Sequence, residues 1–103
     1  PGTNPEELVA AAHAACYSMA LANTLSKKGY TVQSIETQAT CSLTPQPSGG
    51  FKITKMSLRT RGQVSGIDEA AFQQVAKEVE ASGCPVSIML HEGIPVALDA
   101  SLA

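Results

Sequence analysis

The chain has 103 residues, 44% of them hydrophobic but only 4% aromatic, with a formal net charge of −2. That length accommodates one small domain. The apolar fraction excludes a disordered chain, and the charge supplies no basic field for nucleic acid or an anionic membrane. Three cysteines at irregular spacing are not the even set of a secreted disulfide framework. With no charged-then-apolar leader, a cytoplasmic protein is the expectation. A small core poor in aromatics also gains from being shared with a second subunit.

Thr3-Asn4-Pro5-Glu6-Glu7 is a helix start. Asn4 can cap, Pro5 suits the first helical position, and Glu6 and Glu7 lie at the positive end of the dipole. The helix is expected to run to about Lys28, with Gly29 as its left-handed exit. Its apolar run from Leu8 to Leu25 is mostly alanine and includes His13, Ser18, Asn23 and Thr24, which marks a buried helix rather than a membrane span. Being apolar almost all round, it should be covered on several sides. Because the chain opens on Pro1-Gly2-Thr3 without an initiator methionine, directly before a long helix, an N-terminal portion is expected to precede it.

From Tyr30 to Leu43 the pattern alternates, with Ile35, Thr37, Ala39, Cys41 and Leu43 on one face and Val32 out of phase. A Pro- and Gly-rich turn, Pro45 to Gly50, leads into a second strand from Phe51 to Val64. There Phe51 and Ile53 fall out of phase with Met56, Leu58 and Val64, which predicts a bulge near Thr54-Lys55. The two strands read as a β-hairpin. Asp68 then caps a second helix with an apolar stripe at Ala71, Phe72, Val75, Ala76 and Val79, and Ile67 can staple onto Phe72. Gly83 ends it, Pro85 opens a short helix, and after a turn at Gly93 a last strand alternates through Ile94, Val96, Leu98 and Ala100. The reading is one α+β domain over residues 1–103, a long central helix packed on a β-sheet, in the order α-β-β-α-α-β.

Few residues could carry chemistry. Cys84 precedes a helix, where unpaired N–H groups favour a thiolate; equally, it could be a small residue filling a cap. Cys16 lies mid-helix among alanines, where a free cysteine behaves as a small hydrophobe. Cys41 reads as core and His91 as surface. His13 shares the face of Cys16 one turn earlier, so His13, Cys16 and Cys84 form a possible zinc set, although they lack the paired motif of structural zinc sites.

Two cysteine motifs and their surroundings, in order, resemble the OsmC/Ohr family of organic hydroperoxide resistance proteins. The segments are Gly2-Thr3-Asn4-Pro5-Glu6-Glu7-Leu8 continuing to Ala11-Ala12-His13-Ala14-Ala15-Cys16, then Phe51-Lys52-Ile53-Thr54-Lys55, Gly66-Ile67-Asp68 and Gly83-Cys84-Pro85-Val86-Ser87. The His13-containing version is nearer the OsmC branch. The resemblance implies a thiol-dependent peroxidase that acts on organic hydroperoxides and less well on hydrogen peroxide, with no metal or other cofactor. Cys16 matches the peroxidatic cysteine and Cys84 the resolving one, which would join in a disulfide reopened by a dithiol such as dihydrolipoamide. Glu6 matches the carboxylate that pairs with an active-site arginine, itself expected upstream of this chain. Intertwined homodimers are also implied.

One tension stays open: mid-helix Cys16 gets no help from a helix terminus, so its thiolate must depend on an arginine, whereas Cys84 would be the thiolate on local physics alone. A second concerns distance. Glu6 stands ten residues before Cys16, about 15 Å along an α-helix, so it is expected to serve the Cys16 of a second copy, with the helices crossing near Ala11. A zinc-binding module through His13, Cys16 and Cys84, and a non-catalytic dimeric stress protein, are the alternatives.

Overall fold

A computed structural model of the protein describes residues 4–92 and 96–103. Helix α1 (Pro5–Lys27) starts as its sequence dictates: the Asn4 side chain accepts from the Glu7 N–H, and Pro5 occupies the first turn. It ends at a Lys28 cap followed by Gly29, whose φ of 96° is the left-handed exit that glycine takes without strain. By length and composition alone α1 could cross a membrane, yet its Tyr17, Leu21 and Leu25 lie in the protein core.

Strands β1 (Thr31–Pro45) and β2 (Phe51–Ser65) form an antiparallel hairpin. Pairing steps from Ser42↔Lys55 to Leu43↔Ile53, leaving Thr54 unpaired as the bulge that the phase slip predicts. A second bulge, at Gln33, lies between Val32↔Val64 and Ser34↔Gln63. It returns Val32 to the face of Ile35, and both pack on the core. Helix α2 (Glu69–Glu78) is capped by Asp68, which accepts from the Ala71 N–H, and Ile67 joins Phe72 in the core.

The chain does not stop at Gly83 in the simple way expected. It widens into a π-turn over Val79–Gly83, closed by the Cys84 N–H on the Val79 carbonyl at 2.9 Å. Helix α3 (Pro85–His91) follows, then β3 (Val96–Leu102), which pairs with β2 in parallel and gives the sheet order β1-β2-β3. Gly93 and Ile94 lie outside the described residues. The α-β-β-α-α-β order and the helix-on-sheet layering of an α+β domain are therefore present.

One face of the sheet is packed. Leu58 and Ala100 are buried with Tyr17, Leu21, Phe72, Val75 and Val79, Met56 is buried against Ala10, and Thr60 is buried beside them, while Arg59, Arg61 and Asp99 are exposed. The buried hydroxyls are not left unpaired. Ser18 donates to Thr37 (2.6 Å), Thr37 shares a hydrogen bond with Thr60 (2.8 Å), and Thr60 donates to the Glu36 carbonyl, which meets the demand that buried polar atoms find partners. Within this one chain α1 buries a single stripe, Ala10, His13, Tyr17, Leu21 and Leu25, and leaves Met19 74% and Leu8 61% exposed. Nothing else among the described residues covers that side.

Gly62 lies at a tight point of this core: a β-carbon there would sit 2.9 Å from the Phe72 ring and 3.1 Å from Ile35. Overpacking of this kind costs about 1–3 kcal/mol. Gly62→Ala should lower the denaturant midpoint accordingly with an unchanged slope, and a midpoint equal to that of the parent would show that the contact is slack.

Candidate active site

Folding brings Cys16 and Cys84 together. The sulfurs are 3.3 Å apart and both thiols are free. Two local features produce the contact. The π-turn delivers Cys84 to the N-cap of α3, and Tyr17, buried next to Cys16, ties α1 to the end of α2 by donating its hydroxyl to the Ala76 carbonyl at 2.7 Å. Burial of the Tyr17 phenol raises its pKa, with Glu80 and Cys84 adding to the effect, so this hydroxyl keeps its proton.

The two thiols differ in access: Cys84 is fully buried, whereas Cys16 is partly exposed. Burial raises the Cys16 pKa, and the neighbouring Cys84 adds to the rise through its hydrogen bond and charge; the backbone N–H of Val86 opposes it. The direction of the S–H···S bond decides the sign of one of these contributions. When Cys84 donates, as the geometry permits, it stabilises a Cys16 thiolate; when Cys16 donates, it keeps its proton. The Val86 N–H also corrects the sequence reading. Cys16 does receive help from a helix terminus, that of α3 rather than of its own helix. No lysine or arginine among the described residues is among the groups acting on Cys16.

Glu6 is not brought to this pair. It lines a groove of about 750 Å³ between the first turns of α1 and β1, with Ala10, Ala14, Thr37 and Cys41. Cys41 is half-buried against Ala10 and Met56, in keeping with a core role, and its pKa is raised by burial and then by Glu6. His13 is fully buried, with its Nε2 2.7 Å from Ser87 Oγ. No three His, Cys, Asp or Glu side chains among the described residues converge to hold a metal ion, so the zinc set is not assembled here. His91 is at the surface, with its Nε2 2.6 Å from Glu80. Sequence reasoning singles out neither Glu80 nor the roles of Val86 and Ser87; only the Cys84-Pro85-Val86-Ser87 run points toward the last two.

The family model described as OsmC-like protein matches residues 1–99. The chain belongs to the OsmC-like family. It is 49% identical over 93 residues to peroxiredoxin OsmC of Escherichia coli (strain K12), a match that takes in 90% of this chain and 64% of that protein. The OsmC-like fold also superposes on solved structures. One is the organic hydroperoxide resistance protein OhrB of Bacillus subtilis (29% identity, TM-score 0.82, 98% of this chain and 72% of that one). Another is an OsmC-like protein of Mycoplasma pneumoniae (18% identity, TM-score 0.86, 100% and 74%). The second match speaks for the fold alone. The chain spans somewhat less than two thirds of the length of the E. coli relative.

Burial lowers the His13 pKa, opposed by Glu80 and assisted by His91. The unfolded chain therefore takes up a proton near the ordinary histidine value of about 6.5, at a pH where the folded chain does not. This contribution to stability is fully present above that pH and is lost as pH falls below it. The unfolding free energy should drop from pH 7.5 to 5.5, and His13→Gln, which does not titrate, should flatten that slope. An equal slope in both proteins would contradict the assignment.

Proposed function

We propose that the protein is a thiol peroxidase that reduces organic hydroperoxides through Cys16 and Cys84. The observation that carries this reading is the asymmetric pair: an accessible sulfur backed at 3.3 Å by a sealed one. The Cys16 thiolate attacks the distal oxygen of ROOH, the O–O bond breaks, and RO⁻ leaves and takes a proton as the alcohol. Cys16 is left as a sulfenic acid. The Cys84 sulfur then attacks the Cys16 sulfur, and the displaced hydroxide leaves as water with the Cys84 proton. An external dithiol reduces the resulting disulfide by exchange and is itself oxidised to a disulfide. A lipoyl-type dithiol fits the family resemblance.

The preference for organic hydroperoxides is supported by α3, which carries Cys84 at its cap and leaves Ile88 and Met89 exposed as apolar surface. Hydroperoxide resistance in the B. subtilis relative's name and peroxiredoxin in that of the E. coli relative accord with it. The raised Cys16 pKa calls for a cation to favour the thiolate. In this proposal an arginine from outside the described residues supplies it, held by Glu6. The dimer belongs to the same reading. Leu8, Ala11, Ala12, Ala15 and Met19 leave an uncovered face on α1, and a second copy crossing near Ala11 would carry its Glu6 to this Cys16.

Cys16→Ser should reduce hydroperoxide consumption to background. Cys84→Ser should give one turnover and a sulfenic acid trappable by dimedone. Steady dithiol-dependent turnover in both variants would overturn the assignment. Mixing Glu6→Ala chains with Cys16→Ser chains separates the Glu6 arrangements: restored activity means that the intact Glu6 serves the partner's Cys16, and mixtures as inactive as either parent mean that it does not.

A further inference from the structure

Two polar side-chain contacts join α1 to α3 and its cap, and their numbering has a simple relation. On α1, His13 and Cys16 are three residues apart; on α3 and its cap, so are Cys84 and Ser87. His13 Nε2 meets Ser87 Oγ at 2.7 Å, and Cys16 Sγ meets Cys84 Sγ at 3.3 Å. Residues three apart on a helix lie one above the other, so these are two rungs of an antiparallel crossing. Stepping forward on α1 steps backward on α3. His13 and Ser87 are both sealed from solvent, where a hydrogen bond is stiff and an unpaired polar atom is costly. His13 Nδ1 has no partner among the described residues, so the rung to Ser87 is the one hydrogen bond of that ring. Among the described residues of α3, Ser87 alone is buried, which makes it the deep anchor of a seven-residue helix.

We propose that His13 and Ser87 are positioning residues for the thiol pair: their hydrogen bond fixes the register of α3 on α1, and so holds Cys84 and the Val86 N–H at Cys16. The inference rests on the peroxidase reading only in needing a Cys16–Cys84 disulfide to form. The rung sets the effective concentration of Cys84 at Cys16, and with it how firmly the disulfide resists an external thiol. Glu80 from the π-turn and His91 from α3 face the same imidazole electrostatically, but neither is its hydrogen-bond partner. The main core, built from Tyr17, Leu21, Leu25, Phe72 and Val75, does not depend on the rung. Its loss should loosen the thiol pair before it unfolds the domain.

The test equilibrates the full-length protein with glutathione redox buffers, quenches with acid and quantifies the Cys16–Cys84 bond by peptide mapping. Thermal unfolding of each reduced protein is recorded in parallel. Ser87→Ala should lower the equilibrium constant for the disulfide about tenfold, the scale of one buried hydrogen bond, which moves the midpoint potential upward by about 30 mV. His13→Leu should do the same, giving the same reading if Ser87→Ala does not fold. His13→Gln, whose amide can reach Ser87, should return the constant to within about threefold of the parent. A parent that forms the bond normally, with Ser87→Ala and His13→Leu at the parental constant and only their melting temperatures lowered, would overturn the positioning role while leaving the peroxidase reading intact. A parent that forms no Cys16–Cys84 bond at any buffer ratio would overturn both.

Discussion

The contact between the Cys16 and Cys84 sulfurs, 3.3 Å long, is the constraint around which the chain is arranged. Cys16 has a fixed place midway along a 23-residue helix, so Cys84 must be brought to it. That task falls to the segment from α2 to α3. The Asp68 cap starts α2, the Phe72 and Val75 stripe seats it on the sheet, and the π-turn closed at Val79 adds the extra residue that redirects the chain. Pro85 then starts α3 immediately, leaving the Val86 N–H without an intrahelical partner and free to act on Cys16. Each step is local, and the sum is a contact between residues 68 positions apart.

Electrostatics in this pair is finely balanced. Burial works against the thiolate at Cys16, a backbone N–H works for it, and the second sulfur can act either way according to where its proton lies. The two thiols differ in accessibility: Cys16 is partly exposed and Cys84 is sealed, and on the proposed function a hydroperoxide would meet Cys16 first. Local helix physics alone favoured Cys84 as the thiolate, since a cap position precedes free N–H groups. One of those groups, the Val86 N–H, favours the thiolate of the neighbouring Cys16 instead.

What could be read from the sequence followed from short-range physics. The Asn4 and Asp68 caps, the Gly29 exit, the bulge at Thr54 and the alternation of β3 are fixed by residues within a few positions of one another. The Cys16 and Cys84 pairing was available only through the resemblance to a family. What stayed hidden is long-range or depends on geometry that residue types do not encode. The His13–Ser87 bond spans 74 positions, the Ser18–Thr37–Thr60 chain joins three elements, and the parallel pairing of β2 with β3 follows from how α2 and α3 pack. The all-round apolar character of α1 is legible in the sequence, but which side of it this domain covers is not: the side around Met19 has no cover within the described residues.

The central claim is that oxidation joins these two sulfurs and no others. The most direct measurement adds one equivalent of an organic hydroperoxide to the fully reduced protein, blocks the remaining thiols and maps the peptides. The sulfurs of Cys16 and Cys84 already stand 3.3 Å apart, whereas Cys41 packs in a separate cluster with Ala10 and Met56. The account predicts a Cys16–Cys84 linkage with Cys41 recovered as a blocked free thiol. A linkage through Cys41, or two unmodified active-site thiols after the hydroperoxide has been consumed, would contradict it.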